Sequence, residues 1–364
     1  MCDMIRETPA NGRSRKMSVE SYLQAVPKAE LHLHLQGSIR PATLLILAQR
    51  NGVELPARTV EGLQRWFTYR DFAHFVEIYT TICRCLRTAE DYELVAYECA
   101  ANLARQNCRY AEVTFTPGEH EWSEIPREVY LSGLRRGRQR AWQDFGVELN
   151  WVFDIVRDAP QWEERADYVL EVALEGMKDG VVALGLAGTE ANFPAEQYAP
   201  WFVRAVEAGL HSTPHAGETA GPGSIWSALL ALAAERIGHG VRAIEDPRLV
   251  EYLVQERIPL EVCPTSNVRL GVYPSLKAHP LRRLYEAGVV VTVNSDDPPL
   301  FNTNLNHEVM VLWRTFGLDV PAINEIILNG VRYAFVSAQR RQELEAQFRA
   351  EMESLKVQHL TEAA

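Results

Sequence analysis

The chain has 364 residues, 47% hydrophobic and 23% charged, with a formal net charge of -11. Such a composition suits a globular protein able to bury a sizeable core, and the acidic balance without a basic tail argues against broad binding to nucleic acid or an anionic membrane. No run approaches the roughly 20 apolar residues of a membrane span. The cysteines (Cys2, Cys83, Cys85, Cys99, Cys108, Cys263) are scattered without Cys-x-x-Cys spacing, which fits reduced thiols in a cytoplasmic protein better than disulfides or a zinc ribbon.

Residues 1–16 are polar and lack the apolar core of a secretory signal. They read as a disordered extension ahead of a single barrel domain over 17–364, or else Met17 is the true start. Apolar strand candidates follow at 29–35, 109–116, 147–156, 181–186, 210–215, 235–240, 258–263 and 289–294, with helical stretches between them. Eight strands alternating with helices predict a parallel sheet, and eight is the number that closes a (β/α)8 barrel. Helix boundaries are marked by Pro41 after Ser38, by Gly52, by Asp246-Pro247 and by His279-Pro280. Between the first two strands, residues 40–108 carry helical periodicity (Phe72, Phe75, Val76, Tyr79) and predict extra helices over one mouth of the barrel. From Ala338 onward the chain reads as a charged amphipathic helix fading into a polar end.

The first strand, Ala29-Glu30-Leu31-His32-Leu33-His34-Leu35, alternates with period two, which puts both imidazoles on one face and the leucines on the other. Other chemistry-bearing residues fall at the ends of later strands: Gly188 and Glu190 after the fourth, His215 and Glu218 after the fifth, His239 after the sixth, Cys263-Pro264-Thr265-Ser266-Asn267 after the seventh, and Asp296-Asp297 after the eighth. Barrel enzymes gather their catalytic groups at this mouth. Three histidines with an aspartate suit a catalytic zinc, which keeps a position for water and lowers that water's pKa to about 7. Glu218, past an Ala-Gly step, is free to turn toward a substrate, while His239 and an Asp296 oxygen are placed to hold and deprotonate the attacking water. Gly188, lacking a side chain, lets a substrate approach its backbone N–H. Val181 to Gly188 holds no lysine to bridge two metals, so one ion is expected. Neither the His-x-Glu…Pro-Cys-x-x-Cys deaminase signature nor a phosphate-cradling Gly-rich loop is present.

Pro27-Lys28-Ala29-Glu30-Leu31-His32-Leu33-His34-Leu35, His215-Ala216-Gly217-Glu218, Ile237-Gly238-His239-Gly240, Cys263-Pro264-Thr265-Ser266-Asn267 and Ser295-Asp296-Asp297-Pro298 together resemble the adenosine deaminase family, in order, from about Pro27 to Phe335. The resemblance implies a one-zinc barrel that hydrolyses a 6-aminopurine nucleoside to its 6-oxo form and ammonia. It implies that His32, His34, His215 and Asp296 bind zinc, that Glu218 protonates N1 as hydroxide attacks C6, and that His239 orients the hydroxide. It also implies that Asp297 hydrogen-bonds N7 and that the Gly188 N–H meets N3.

Two positions depart from the adenosine-selective pattern. Gln36 stands where such enzymes carry an aspartate for the ribose 5′-hydroxyl, and Gly185 replaces the aspartate of Asp-Leu-Ala-Gly. Gln36 keeps hydrogen-bonding capacity without the charge that strengthens such a contact. The loop 219–226 is similar to a bacterial branch that includes deaminases of 6-aminodeoxyfutalosine, a 5′-extended nucleoside of menaquinone synthesis. The expected substrate is therefore adenosine or such a 5′-modified adenosine, with Gln36 among its contacts. Free adenine or N6-substituted adenine is the alternative within enzymology, and an inactive nucleoside-binding barrel the alternative outside it. Arg269 is a candidate for a negatively charged substrate group, and Phe72, Phe75 and Trp122 are candidates for an apolar pocket wall.

Overall fold

Each apolar run rich in branched and aromatic residues forms a strand, and the polar, helix-forming segments between them return the chain to the same end of the sheet. The computed structural model describes residues 18–70 and 72–360, with the side chains of Phe72 and Ala73 left out. The expected extension over 1–16 and the last residues of the tail lie outside them. The strands are β1 (Lys28–His34), β2 (Cys108–Phe115), β3 (Glu148–Val156), β4 (Val181–Ala187), β5 (His211–Ala216), β6 (Ile237–His239), β7 (Leu260–Val262) and β8 (Val291–Val293). They pair in parallel in chain order. An isolated parallel bridge between Leu33 and Asp296 joins the end of β8 to β1 and closes the barrel.

All eight expected strands are present, but β6, β7 and β8 span three residues each, shorter than the runs predicted. Each of the three is shorter than its run by two residues at the start and one at the end, where the backbone turns out of the sheet toward the barrel mouth. His239 and Asp296 have left-handed backbones with φ of 59° and 64°, and Pro264, next after Cys263, has no N–H to donate. Left-handed backbone at a non-glycine residue costs on the order of 1–3 kcal/mol and persists only where the surroundings impose it.

Helices Pro41–Asn51, Val60–Trp66, Phe72–Arg84 and Ala89–Arg105 fill the expected insertion. The third of these brings Phe75, Val76, Tyr79 and Thr80 to the wall of the cavity at the barrel mouth. Gly52 ends the first in the left-handed conformation, and the Asp246 carboxylate caps Pro247–Gln255. The tail helix, Ala338–His359, buries the stripe Leu344, Phe348 and Met352. Among the described residues, no helix is long and apolar enough to cross a membrane, and the described cysteines are free and buried.

Candidate active site

On β1 the even-numbered residues face the barrel axis. His32 and His34 are both buried, and they meet His215 from the end of β5 so that one ring nitrogen of each lies within 4.8 Å of the others. Asp296 arrives from β8 in an arrangement set by the barrel seam. Its N–H donates to the His32 carbonyl at 3.0 Å, and its carbonyl accepts from the His34 N–H at 3.0 Å. Its carboxylate lies 3.3 Å from His34 Nε2 and 3.7 Å from His32 Nε2. His32 and His34 thus meet His215 on one side and the Asp296 carboxylate on the other.

Hydrogen bonding fixes how they present themselves. His32 Nδ1 meets the Glu261 carboxylate at 2.8 Å, and its buried Nε2 has no partner. Glu261 is therefore the acceptor, and the Nε2 lone pair points toward His34 and Asp296. Burial would raise the Glu261 carboxyl, but Arg236 and His32 hold it at about 2. Burial keeps His34 neutral, pushing it down to about 4, and drives His215 well below the ordinary imidazole value. Burial also acts to lower His32, but Glu261 and Asp296 outweigh it and hold His32 above its ordinary value. Buried neutral imidazoles, an unpartnered Nε2 and an ionised carboxylate at one point fit a divalent metal ion, whose charge would replace the proton that Asp296 and Glu261 favour on His32.

The groups beside this point differ in protonation. Glu218 stands beyond Gly217, and its Oε1 lies 3.6 Å from His239 Nε2 with no hydrogen-bond partner. Burial, then the Asp296 charge and that of Glu190, raise its carboxyl well above the ordinary range, which favours the protonated form. Asp297 is raised likewise by burial and by Asp296, and its Oδ1 is unpartnered. A Cβ on Gly37 would sit 1.6 Å from that oxygen, so glycine is required there for Asp297 to tuck over the turn. Gly188 has φ of 87° and lines the same cavity.

Two supporting roles are not assigned by the sequence reading. The Glu190 carboxylate accepts from the backbone N–H groups of Gly217, Glu218, Thr219 and Ala220 at 2.7–3.2 Å and from the Ser224 hydroxyl, which pins the loop carrying Glu218. Behind His32, Glu261 continues through Arg236 to Glu112 and Tyr110, a buried ion-pair chain through the barrel interior. A signal for it was available: Glu112 and Glu261 each stand alone inside an apolar strand, where an acid survives only with a partner.

Three expected contacts are corrected. Gln36 is fully buried but does not line the cavity. Its Oε1 accepts from the Tyr79 hydroxyl at 3.3 Å, and its Nε2 meets His120 Nε2 at 3.2 Å. An amide serves both neighbours because one needs an acceptor and the other a donor. Trp122 is 61% exposed beneath Arg165 rather than in the pocket. Arg269 lines the adjoining cleft with Arg40, Tyr69 and Phe301, the last of which also lines the cavity. Phe75 lines the cavity as expected, and the Phe72 side chain lies outside the described residues.

A parallel eight-stranded barrel, its mouth holding three histidines and an aspartate beside a buried glutamate whose carboxyl is raised, defines a metal-dependent aminohydrolase. The adenosine deaminase family model matches residues 27–350, and the chain belongs to that family. It is 42% identical over 322 residues to an aminodeoxyfutalosine deaminase of Streptomyces coelicolor, covering 88% of this chain and 83% of the relative. It is 38% identical over 314 residues to an adenine deaminase of Albidiferax ferrireducens, covering 86% and 90%. The adenine deaminase of Arthrobacter aurescens superposes with a TM-score of 0.85 at 33% identity, over 90% of this chain and 100% of that one. An amidohydrolase from Burkhoderia ambifaria with bound Zn gives a TM-score of 0.86 at 25% identity, over 96% and 97%.

Proposed function

We propose that the protein is a zinc aminohydrolase of a 6-aminopurine nucleoside extended at the ribose 5′ carbon, of the 6-aminodeoxyfutalosine type. The reaction takes up water at C6 and releases the 6-amino group as ammonia, leaving the 6-oxopurine. His32, His34, His215 and Asp296 would hold the ion. Zinc supplies a Lewis acid that lowers the pKa of water at the site.

The remaining chemistry belongs to the chain. Glu218, protonated at rest, donates to ring N1 and so makes C6 more electrophilic. His239 directs its Nε2–H toward the side from which water adds. Asp297 keeps its proton and donates to N7, a lone-pair acceptor that a carboxylate would repel. The Gly188 N–H meets N3. Phe75 and Phe301 line the cavity beside these groups and offer the purine apolar surface.

The observation that supports the choice of substrate is that residue 36 offers nothing to a free 5′-hydroxyl, its side chain being turned to Tyr79 and His120 rather than into the cavity. No carboxylate stands where the family pattern has one for a free 5′-hydroxyl, and the Gln36 amide is occupied by Tyr79 and His120. A substrate whose 5′ position is already substituted loses nothing there. The 42% identity to an aminodeoxyfutalosine deaminase supports the same reading. Adenine is the second reading, favoured by the 38% relative and the 33% structural neighbour. Turnover of 6-aminodeoxyfutalosine, adenosine and adenine by the zinc-loaded protein separates them, and a preference for either unextended substrate overturns the proposal. The substrate is a cytoplasmic small molecule on this reading.

A further inference from the structure

Beyond the metal cluster, the cavity has a second polar wall to which nothing above gives a role. Asp154, Val156 and Asp158 occupy alternate positions on and just past β3 and line the cavity, together with Thr116 and Glu119 from the end of β2 and the helix after it. Asp154 is 1% exposed, yet among the described residues its Oδ1 has no hydrogen-bond partner. Its other contact is the Thr116 hydroxyl. A buried carboxylate with one empty oxygen on a cavity wall is costly unless something in the cavity completes it.

The neighbouring strand is shaped around it. Asp154 pairs in register with Gly185 across β3 and β4. A Cβ at Gly185 would lie 3.2 Å from Asp154 Cβ and 3.1 Å from Val152 Cγ1, tighter than ordinary packing. Gly185 is the position at which the chain departs from Asp-Leu-Ala-Gly, so the acid missing from β4 stands on its registered partner. A side chain at residue 185 would crowd Asp154 and Val152.

We propose that Asp154 is a specificity residue that hydrogen-bonds a sugar hydroxyl of the nucleoside, distinguishing it from the free base. This rests on the orientation proposed above. With C6 at the metal cluster and N3 at Gly188, N9 lies on the far edge of the ring beside Gly188. The Gly188 backbone packs against Val156 and Asp158, since a Cβ there would lie 2.6 Å from Asp158 Oδ1 and 3.1 Å from Val156 Cγ1. The substituent on N9 therefore leaves the ring along the β3 wall. Among the described residues no lysine or arginine lines this cavity, so its chemistry suits neutral hydroxyl donors better than an anion. Burial pushes the Asp154 carboxyl up to about 7 against the Thr116 hydrogen bond, so the group is able to accept or to donate.

The test uses the metal-loaded protein as wild type, Asp154→Ala and Asp154→Asn, assayed on the preferred nucleoside, on its 2′- and 3′-deoxy forms, and on adenine. Asp154→Ala should lower kcat/KM for the nucleoside about tenfold to a hundredfold, mostly through KM, as expected for losing a hydrogen bond to a charged group. The loss should shrink for the deoxy form that lacks the hydroxyl, adenine turnover should be unchanged, and Asp154→Asn should lie between. Equal losses on nucleoside and base, or the same loss on every deoxy form, would overturn the proposal. Metal content and melting temperature identify a variant that fails to fold, and Asp154→Asn, nearly isosteric, then decides the matter. If the wild type turns over no nucleoside, the proposed function fails in the wild-type assay and the role of Asp154 falls with it. If the wild type works and the variants match it, Asp154 alone is refuted.

Discussion

His279 and His239 face opposite ends of a single amide, Asn267. His279 Nε2 lies 3.1 Å from Asn267 Oδ1, and Asn267 Nδ2 lies 3.1 Å from His239 Nδ1. The direction of the relay is set at its outer end, where the Leu281 N–H donates to His279 Nδ1 at 3.2 Å. His279 must then carry its proton on Nε2, Asn267 must offer Oδ1 to it, and His239 must accept at Nδ1. The proton of His239 is thereby placed on Nε2, facing Glu218 and Asp296.

Breaking this relay should impair chemistry more than binding. His279→Ala leaves the Asn267 amide free to turn and His239 free to change tautomer. We expect kcat to fall by up to about a hundredfold, the scale of a misplaced catalytic group, with metal content unchanged. Steady-state kinetics with elemental analysis checks this; an unaltered kcat contradicts the tautomer assignment.

Glu261 holds the ring of His32, a proposed metal ligand, by its Nδ1. Glu261→Gln keeps the shape but replaces the charge that fixes the His32 proton on Nδ1. Metal affinity should drop by about 10–100-fold, as for comparable partners of ligating histidines. Competition with a chelator measures it, with a melting curve to show that Arg236 remains accommodated. An affinity equal to that of the wild type removes Glu261 from the account.

Glu190 links the Glu218 loop to acid stability. Burial raises its carboxyl, but the Ser224 hydroxyl, the Ala220 N–H, Arg157 and the Gly217 N–H lower it further, so the folded value lies below the ordinary one. A depressed carboxyl contributes stability that is fully present above the unfolded value, about 4.3 for glutamate, and is lost as pH falls through the folded value. Glu190→Gln should therefore melt below the wild type at neutral pH, with the gap closing in acid, and should lower kcat because Glu218 loses its anchor. A gap that persists in strong acid would contradict this.

Restoring the family acid at residue 36 should not restore an adenosine preference. Gln36→Asp removes the donor to buried His120 and buries a carboxylate, at a cost of about 1–3 kcal/mol for the unsatisfied group. The expected result is a lower melting temperature with the substrate ratio unmoved. A clear shift toward adenosine would mean that residue 36 reaches the substrate after all.

The barrel was legible because hydrophobic periodicity and strand number are local signals, and the histidine–aspartate cluster because His32, His34, His215 and Asp296 stand at strand ends. Less legible were the partners: Glu261 behind His32, His279 behind Asn267, and Glu190 beneath Glu218. Their roles depend on which strands become neighbours, and sequence spacing does not carry that. Gln36 shows the converse error. Its position in a motif suggested a substrate contact, but the side chain is claimed by His120 and Tyr79, which lie 84 and 43 residues away. The lone acids inside apolar strands, Glu30, Glu112, Asp154 and Glu261, are the readable trace of this hidden layer.

The central claim is that one metal ion at this cluster and a protonated Glu218 hydrolyse the purine together. The most direct measurement follows ammonia release by wild type and Glu218→Gln, each depleted of metal and then reloaded with zinc. The account predicts no activity in the depleted wild type and recovery near one zinc per chain. It predicts that the variant binds zinc equally but turns over slower by about 10²–10⁴-fold, the contribution of a positioned proton donor. Activity that survives metal removal, or a Glu218→Gln enzyme as fast as the wild type, would contradict it.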